Sequence, residues 1–206
     1  MIILASASPR RQQLLSLICD NFSVEPADID ETIEKEIELE KKPEYLAVKK
    51  AKHIQDNKHF DDIVIGCDTG VFLDGIMLGK PSCESDAEEM LRRLSGRKHK
   101  VITGCALLYK DRCISFSQTT EVEFFELTDK EIADYIKTGE PMDKAGAYGI
   151  QGKGTALVKG IVGDFYNVVG LPVAMLNKKL KEIIYHSVIK NIFFKNRLET
   201  FILAVI

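Results

Sequence analysis

Nowhere in this 206-residue chain do eighteen apolar residues run together, so the sequence offers no membrane span. The opening Met-Ile-Ile-Leu-Ala-Ser lacks the charged n-region of a signal peptide and reads straight into a short strand, so a cytoplasmic protein is expected. No charge of one sign dominates. Lys and Arg number 28 against 31 Asp and Glu, a net charge of −3. That balance argues against nucleic acid or an anionic membrane as partner, and any anionic ligand must be met by a local cluster of cations. The five cysteines form no C-x-x-C pair, and an odd number gives no disulfide framework; they read as small buried apolar residues of a reducing compartment. The four histidines lack metalloprotease spacing. No G-x-G-x-x-G occurs, and neither Leu78-Gly-Lys-Pro81 nor Gly152-Lys-Gly154 completes a P-loop, which excludes a Walker ATPase and a dinucleotide binder.

What is present alternates between helix and strand. A strand over about 2–5 ends at Ser6-Ala-Ser8-Pro9, where Ser8 serves as N-cap and Pro9 as first residue of a helix to about Cys19. Phe22 to Pro26 reads as a strand, and Pro43 opens a helix. Asp62 to Cys67 is expected to be a buried strand delivering Asp68-Thr69 at its carboxyl end. Ser85-x-x-Glu88 and Thr128-x-x-Glu131 are capping boxes. His99–Tyr109 and Cys113–Phe125 form a hairpin around Lys110-Asp-Arg112. Four glycines bend a loop over 145–154, strands follow around 156–161 and 165–169, and a last helix runs to about Tyr185. The irregular alternation with one antiparallel hairpin predicts an α/β protein with a mixed sheet.

Several segments carry residues suited to phosphate chemistry. The Ser8 helix start, Arg10 and Arg11 offer backbone donors, a hydroxyl and guanidinium forks. An ordinary capped helix with two surface arginines explains them equally well. Asp68, at the end of an apolar strand, is placed to hold a metal or accept a proton from water, although a turn-capping Asp is the commoner case. Asp68-Thr-Gly70 also matches an aspartic-protease triplet, but that chemistry needs two carboxylates sharing a proton and the chain has one such triplet, so it stands only as a minor alternative in which a homodimer supplies the second. Lys80, on a Gly-Pro turn, can reach a phosphate as a point charge. Asp30-Glu31 reads either as a second metal-binding arm or as a solvated loop. His99 opens a strand and reads as structural. Gln151 is a neutral donor and acceptor suited to a base edge.

In order and spacing, these segments resemble the Maf family of nucleotide pyrophosphatases. The matching stretches are Leu4-Ala-Ser-Ala-Ser-Pro-Arg-Arg11, Asp30-Glu31, Lys50-Ala51, Asp68-Thr69 and Leu78-Gly-Lys-Pro81, then His99-x-Val-x-Thr-Gly104, the run from Glu140 to Gly152, and Asn167-Val-Val-Gly-Leu-Pro172. The resemblance implies a curved mixed sheet in two lobes with a cleft, related to the inosine-triphosphate pyrophosphatases, in a homodimer. It implies hydrolysis of a nucleoside triphosphate to the monophosphate and pyrophosphate with Mg²⁺ or Mn²⁺. Asp68 would be the proton acceptor; Arg11, Thr69 and Gln151 would set substrate choice, in the manner of the branch acting on dTTP and UTP. Ser8, Arg10, Lys50 and Lys80 would hold phosphates, and Asp68 with Glu31 the metal. A nucleotide-binding regulator of cell division that turns nothing over is the rival reading.

The chain departs from the family at Gly70, where an apolar β-former is usual, and at Cys67, where Ala is common. Residues 1–185 form the expected domain. Residues 186–206 read as a helical extension with Phe194, Leu198, Phe201, Ile202 and Val205 on one face.

Overall fold

The computed structural model describes residues 1–32 and 37–185. Glu34 of the acidic segment and the expected 186–206 extension lie outside the described residues. The sheet has seven strands: β1 (Ile2–Leu4), β2 (Ser23–Val24), β3 (Ile63–Leu73), β4 (Ile76–Leu78), β5 (Lys98–Tyr109), β6 (Arg112–Phe124) and β7 (Val158–Val162). Their order is β2-β1-β3-β5-β6-β7, with β4 on the far half of β3. The pairs β2–β1 and β1–β3 are parallel and all others antiparallel, as the mixed-sheet reading expects. The helices are α1 (Pro9–Leu15), α2 (Lys42–Lys58), α3 (Glu84–Leu94), α4 (Asp129–Ile136), α5 (Phe165–Val169) and α6 over 173–185.

The central strand β3 passes through two apolar regions. Its first half packs Ile65 and Cys67 with Leu14, Leu15 and Leu176 on one face, and Val64 with Ala47, Ala51 and Ile54 of α2 on the other. Its second half sends Val71 and Leu73 into a separate cluster with Leu91 of α3 and Ile132 of α4. Between these two lobes lie Asp68, Thr69 and Gly70. There β1 has already stopped, because its pairing with β3 ends at Leu4–Ile65, and β4 joins only at Val71. The gap in the sheet beside Asp68 and Thr69 is the floor of a cleft.

The structure corrects several local expectations. Asp68 lies in mid-strand, because β5 continues to pair with β3 as far as Phe72. Helix α1 is only seven residues long and ends at Leu15. Helix α3 begins at Glu84 with Cys83 as its cap and no capping box; Asp86 instead accepts from the backbone and hydroxyl of Ser82. Phe165–Val169 is a helix where strand formers predict a strand. Asp164 caps it by accepting from the Tyr166 N–H, and buried Asn167 donates to Val101 O and Thr120 Oγ1, which fixes the segment across β5 and β6. The Thr128–Glu131 capping box and the turn at Lys110 form as read. His99 is a core residue: its Nε2 lies 2.7 Å from the Tyr148 hydroxyl and its ring meets Phe124 edge-on. Burial lowers its pKa to about 4, so it is neutral at physiological pH.

Helix α2 sits on bare backbone. A Cβ on Gly66 would meet Ala47 O at 2.1 Å, and one on Gly104 would meet Glu44 N at 2.2 Å. Gly104→Ala is therefore expected to destabilise the protein by about 3 kcal/mol or more in urea unfolding, because the helix must be pushed off the sheet. Gly160→Ala, with nothing within 4 Å of the new methyl, serves as the neutral control.

Candidate active site

The cleft encloses about 830 Å³ and is lined by nine of the residues singled out for chemistry, whereas Asp30 is not among its lining and its carboxylate accepts from Thr32. Ser8, Arg10 and Arg11 come from the β1–α1 corner, Glu31 from the acidic segment, Lys50 from α2, and Asp68 and Thr69 from β3. Facing them are Lys80, on the turn after β4, and Gln151, in the glycine-rich loop. Backbone joins the last two segments, since the Gly146 N–H donates to Gly79 O at 2.9 Å.

Because side chains alternate along a strand, Asp68 and Thr69 project to opposite faces of β3. Asp68 faces α2. Its Oδ1 accepts from Lys50 Nζ at 2.6 Å, and the same ammonium lies 2.7 Å from Glu31 Oε1. One partly buried cation thus holds two carboxylates together. Asp68 is only 8% exposed, and burial pushes its carboxyl above the usual carboxylate range, while Lys50 first and then Arg11 pull it down. Its Oδ2 has no hydrogen bond to a described residue and is left for another partner.

Thr69 faces α1 and meets Arg11. The Arg11 guanidinium is held from every side: Nε donates to Gly170 O at 2.9 Å, Nη1 to Cys67 O at 2.9 Å and Ser6 Oγ at 3.2 Å, and Nη2 to Thr69 Oγ1 at 3.0 Å. The direction of the chain beyond it is fixed by counting protons. Thr103 gives its single hydroxyl hydrogen to Asn167 O at 2.9 Å, so in the 2.9 Å contact between the two threonines Thr69 must donate. The order is Arg11 to Thr69 to Thr103 to the Asn167 carbonyl. Arg11 is therefore a fixed wall of the cleft that also supplies positive charge.

The other cations stand differently. Arg10 reaches across to Asp143 Oδ2 at 3.4 Å, a long contact on an exposed pair that a phosphate can displace. Lys80 is exposed on its Gly-Pro turn and makes no ion pair with a described residue. Ser8 caps α1 through a 3.5 Å bond from the Arg11 N–H. Since α1 has barely two turns, its end contributes less than the side chains do to holding an anion.

Among the described residues no group of three or more His, Cys, Asp or Glu gathers as a ready-made metal site. Asp68 and Glu31 do converge on one point, marked by Lys50 Nζ. Two carboxylates suit Mg²⁺, which keeps waters and takes remaining ligands from substrate phosphates. Among the described residues no second Asp shares a proton with Asp68, whose hydrogen-bond partner is a lysine.

Two features escaped the sequence reading. Asp143 and Lys144 line the cleft as a 2.6 Å ion pair, and Glu140 binds the backbone of the glycine-rich loop. Their presence in the Glu140–Gly152 motif was the available signal.

Two outcomes are expected. Arg11→Lys, which cannot reproduce the fork, should lower stability by roughly 2 kcal/mol in denaturant titration. Lys50→Met removes the strongest pull on Asp68, so its carboxyl should titrate at higher pH than in the parent, as followed by carbon NMR of that group.

Among known proteins, a family profile described as Maf-like protein matches residues 1–183. The dTTP/UTP pyrophosphatase of Bacillus cereus (strain B4264) is 47% identical over 181 residues, covering 88% of this chain and 94% of that protein. The dTTP/UTP pyrophosphatase of Bacillus mycoides (strain KBAB4) is likewise 47% identical over 181 residues, again 88% of this chain and 94% of that protein. A solved HAM1 protein from Coxiella burnetii aligns with 60% of this chain and 72% of its own at 17% identity and a TM-score of 0.45. With nearly the whole described chain matched and close relatives covered almost end to end, the chain belongs to the Maf-like protein family.

Proposed function

We propose that the cleft hydrolyses a uracil- or thymine-bearing nucleoside triphosphate between its α and β phosphates. The carrying observation is the convergence of Asp68, Lys50 and Glu31 with Arg10, Lys80 and Gln151 around one space of about 830 Å³. The relatives named dTTP/UTP pyrophosphatase support the substrate class.

The triphosphate lies between the β1–α1 corner and the Lys80 turn. Arg10 leaves Asp143 for a phosphate, and Lys80 meets the pyrophosphate end as a point charge. Arg11 and Thr69 form the wall against which the substrate is set. A water on the open Oδ2 side of Asp68 attacks the α phosphorus; its oxygen bonds to phosphorus, the α–β bridging P–O bond breaks, and its proton passes to Asp68. Pyrophosphate and the monophosphate leave. The raised pKa of Asp68 makes it a stronger base than an exposed carboxylate. Asp68 and Glu31 are the residues to hold a divalent cation, with Lys50 moving toward the phosphates. When bound, such a cation neutralises charge on the phosphate oxygens. Gln151 is exposed, its carboxamide has no partner among the described residues, and it can pair with both N3–H and O4 of uracil or thymine.

The test is pyrophosphate release from dTTP, UTP, CTP and GTP with Mg²⁺. Release from dTTP and UTP is expected, and silence on every triphosphate would favour the binding regulator. Asp68→Asn is expected to lower turnover on UTP at least ~10²-fold, and near-normal turnover would remove Asp68 from this role.

A further inference from the structure

We infer that Glu140 is the positioning residue for base selection, acting through the loop that carries Gln151; this deepens, and rests on, the proposed role of Gln151. The loop folds back on itself so tightly that a Cβ on Gly154 would sit 2.2 Å from Gly149 O. Its ends are tied by the Tyr135 hydroxyl, which accepts from the Gly149 N–H at 3.1 Å, and by the Thr155 hydroxyl, which donates to Ile150 O at 2.8 Å. Gln151 sits at the bend, followed by Gly152 at φ +68°.

The side of the bend after Gln151 is held by Glu140. The Lys153 N–H lies 3.1 Å from both Glu140 carboxylate oxygens, and the Gly154 N–H lies 3.4 Å from Oε2. These are first-turn donors of the 3₁₀ segment Gly152–Leu157, and the side chain of Gln151, the residue before that turn, does not cap it. A carboxylate from a remote segment takes that place and leaves the Gln151 carboxamide free. Glu140 is itself fixed, because Lys144 Nζ donates to its carbonyl at 2.5 Å and its own N–H donates to Thr138 Oγ1 at 3.1 Å. Charge-assisted bonds to backbone N–H groups are among the stronger ones, so the bend stays put.

That rigidity bears on selectivity for a chemical reason. Uracil presents N3–H and O4 where cytosine presents N3 and N4–H, so the two bases ask the carboxamide for opposite orientations, reached by turning about its own Cγ–Cδ bond. The loop does not bar that turn; it sets the distance and angle at which Gln151 meets the base edge, and with them which orientation fits against the cleft wall. Glu140 touches neither base nor phosphate in this role; it sets where Gln151 stands.

The experiment measures kcat and KM for UTP and CTP in the parent, Glu140→Ala, Glu140→Gln, Gln151→Ala and the Glu140→Ala/Gln151→Ala pair. Glu140→Ala should lower the UTP-over-CTP ratio of kcat/KM by roughly tenfold, through KM for UTP more than through kcat. Glu140→Gln, which keeps one acceptor oxygen, should fall between. In the Gln151→Ala background the same change should cost no further selectivity, a coupling that a purely structural residue would not show. Equal losses on both nucleotides, or an unchanged ratio in either Glu140 variant, would overturn the inference while leaving Gln151 in place. A parent that does not prefer UTP to CTP, or an unchanged preference in Gln151→Ala, would instead overturn the Gln151 reading and this inference with it.

Discussion

A lysine ammonium taken largely out of water between two carboxylates is the constraint on which this cleft depends. Charges at that depth are tolerated only when paired, and Lys50 is paired twice, with Asp68 and with Glu31. The pairing brings together three parts of the chain that share no local structure: a helix, the middle of the central strand and an acidic loop. It also keeps Asp68 ionisable in a place where burial alone would favour its neutral form. In the proposed reaction a polyphosphate would offer the lysine another set of oxygens, so the pairing that organises the cleft is the one that substrate would rearrange.

The two faces of β3 divide the work. Asp68 looks toward α2 and its long-stemmed lysine, whereas Thr69 looks toward α1 and a guanidinium tied to two backbone carbonyls and two hydroxyls. The first face can change partners and the second cannot. A site that must both bind and select has use for each: displaceable charge around the phosphates, and fixed shape around the rest.

Much of this was legible from the order of residues, and the parts that were not share a physical cause. The capping box at Thr128 and the turn at Lys110 are local devices, written in residues three or four apart, and they form as read. Phe165–Val169 looks like a strand because its side chains favour one, but Asp164 caps it locally and the buried amide of Asn167 engages distant backbone, and together they hold it helical. The extent of β3 past Asp68 depends on pairing with β5, some thirty-five residues on, which no local pattern announces. Arg11 reads as a phosphate fork, yet two of its four partners are backbone carbonyls, which every residue carries and which leave no trace in a sequence. Glu140 was passed over for the same reason, since its partners are backbone N–H groups. The gathering of nine chosen side chains around one cleft was foreseeable only from the ordered set of motifs, each weak alone.

The glycines beneath α2 have a consequence for that gathering. Lys50 stands within one turn of the backbone atoms that rest against Gly66, on the helix whose first turn rests against Gly104, so the reach of its four-carbon stem is gauged from a surface with no side chains between. Two missing methyl groups thus act as a spacer of zero thickness, and the placement of a flexible cation inherits the precision of main chain lying on main chain.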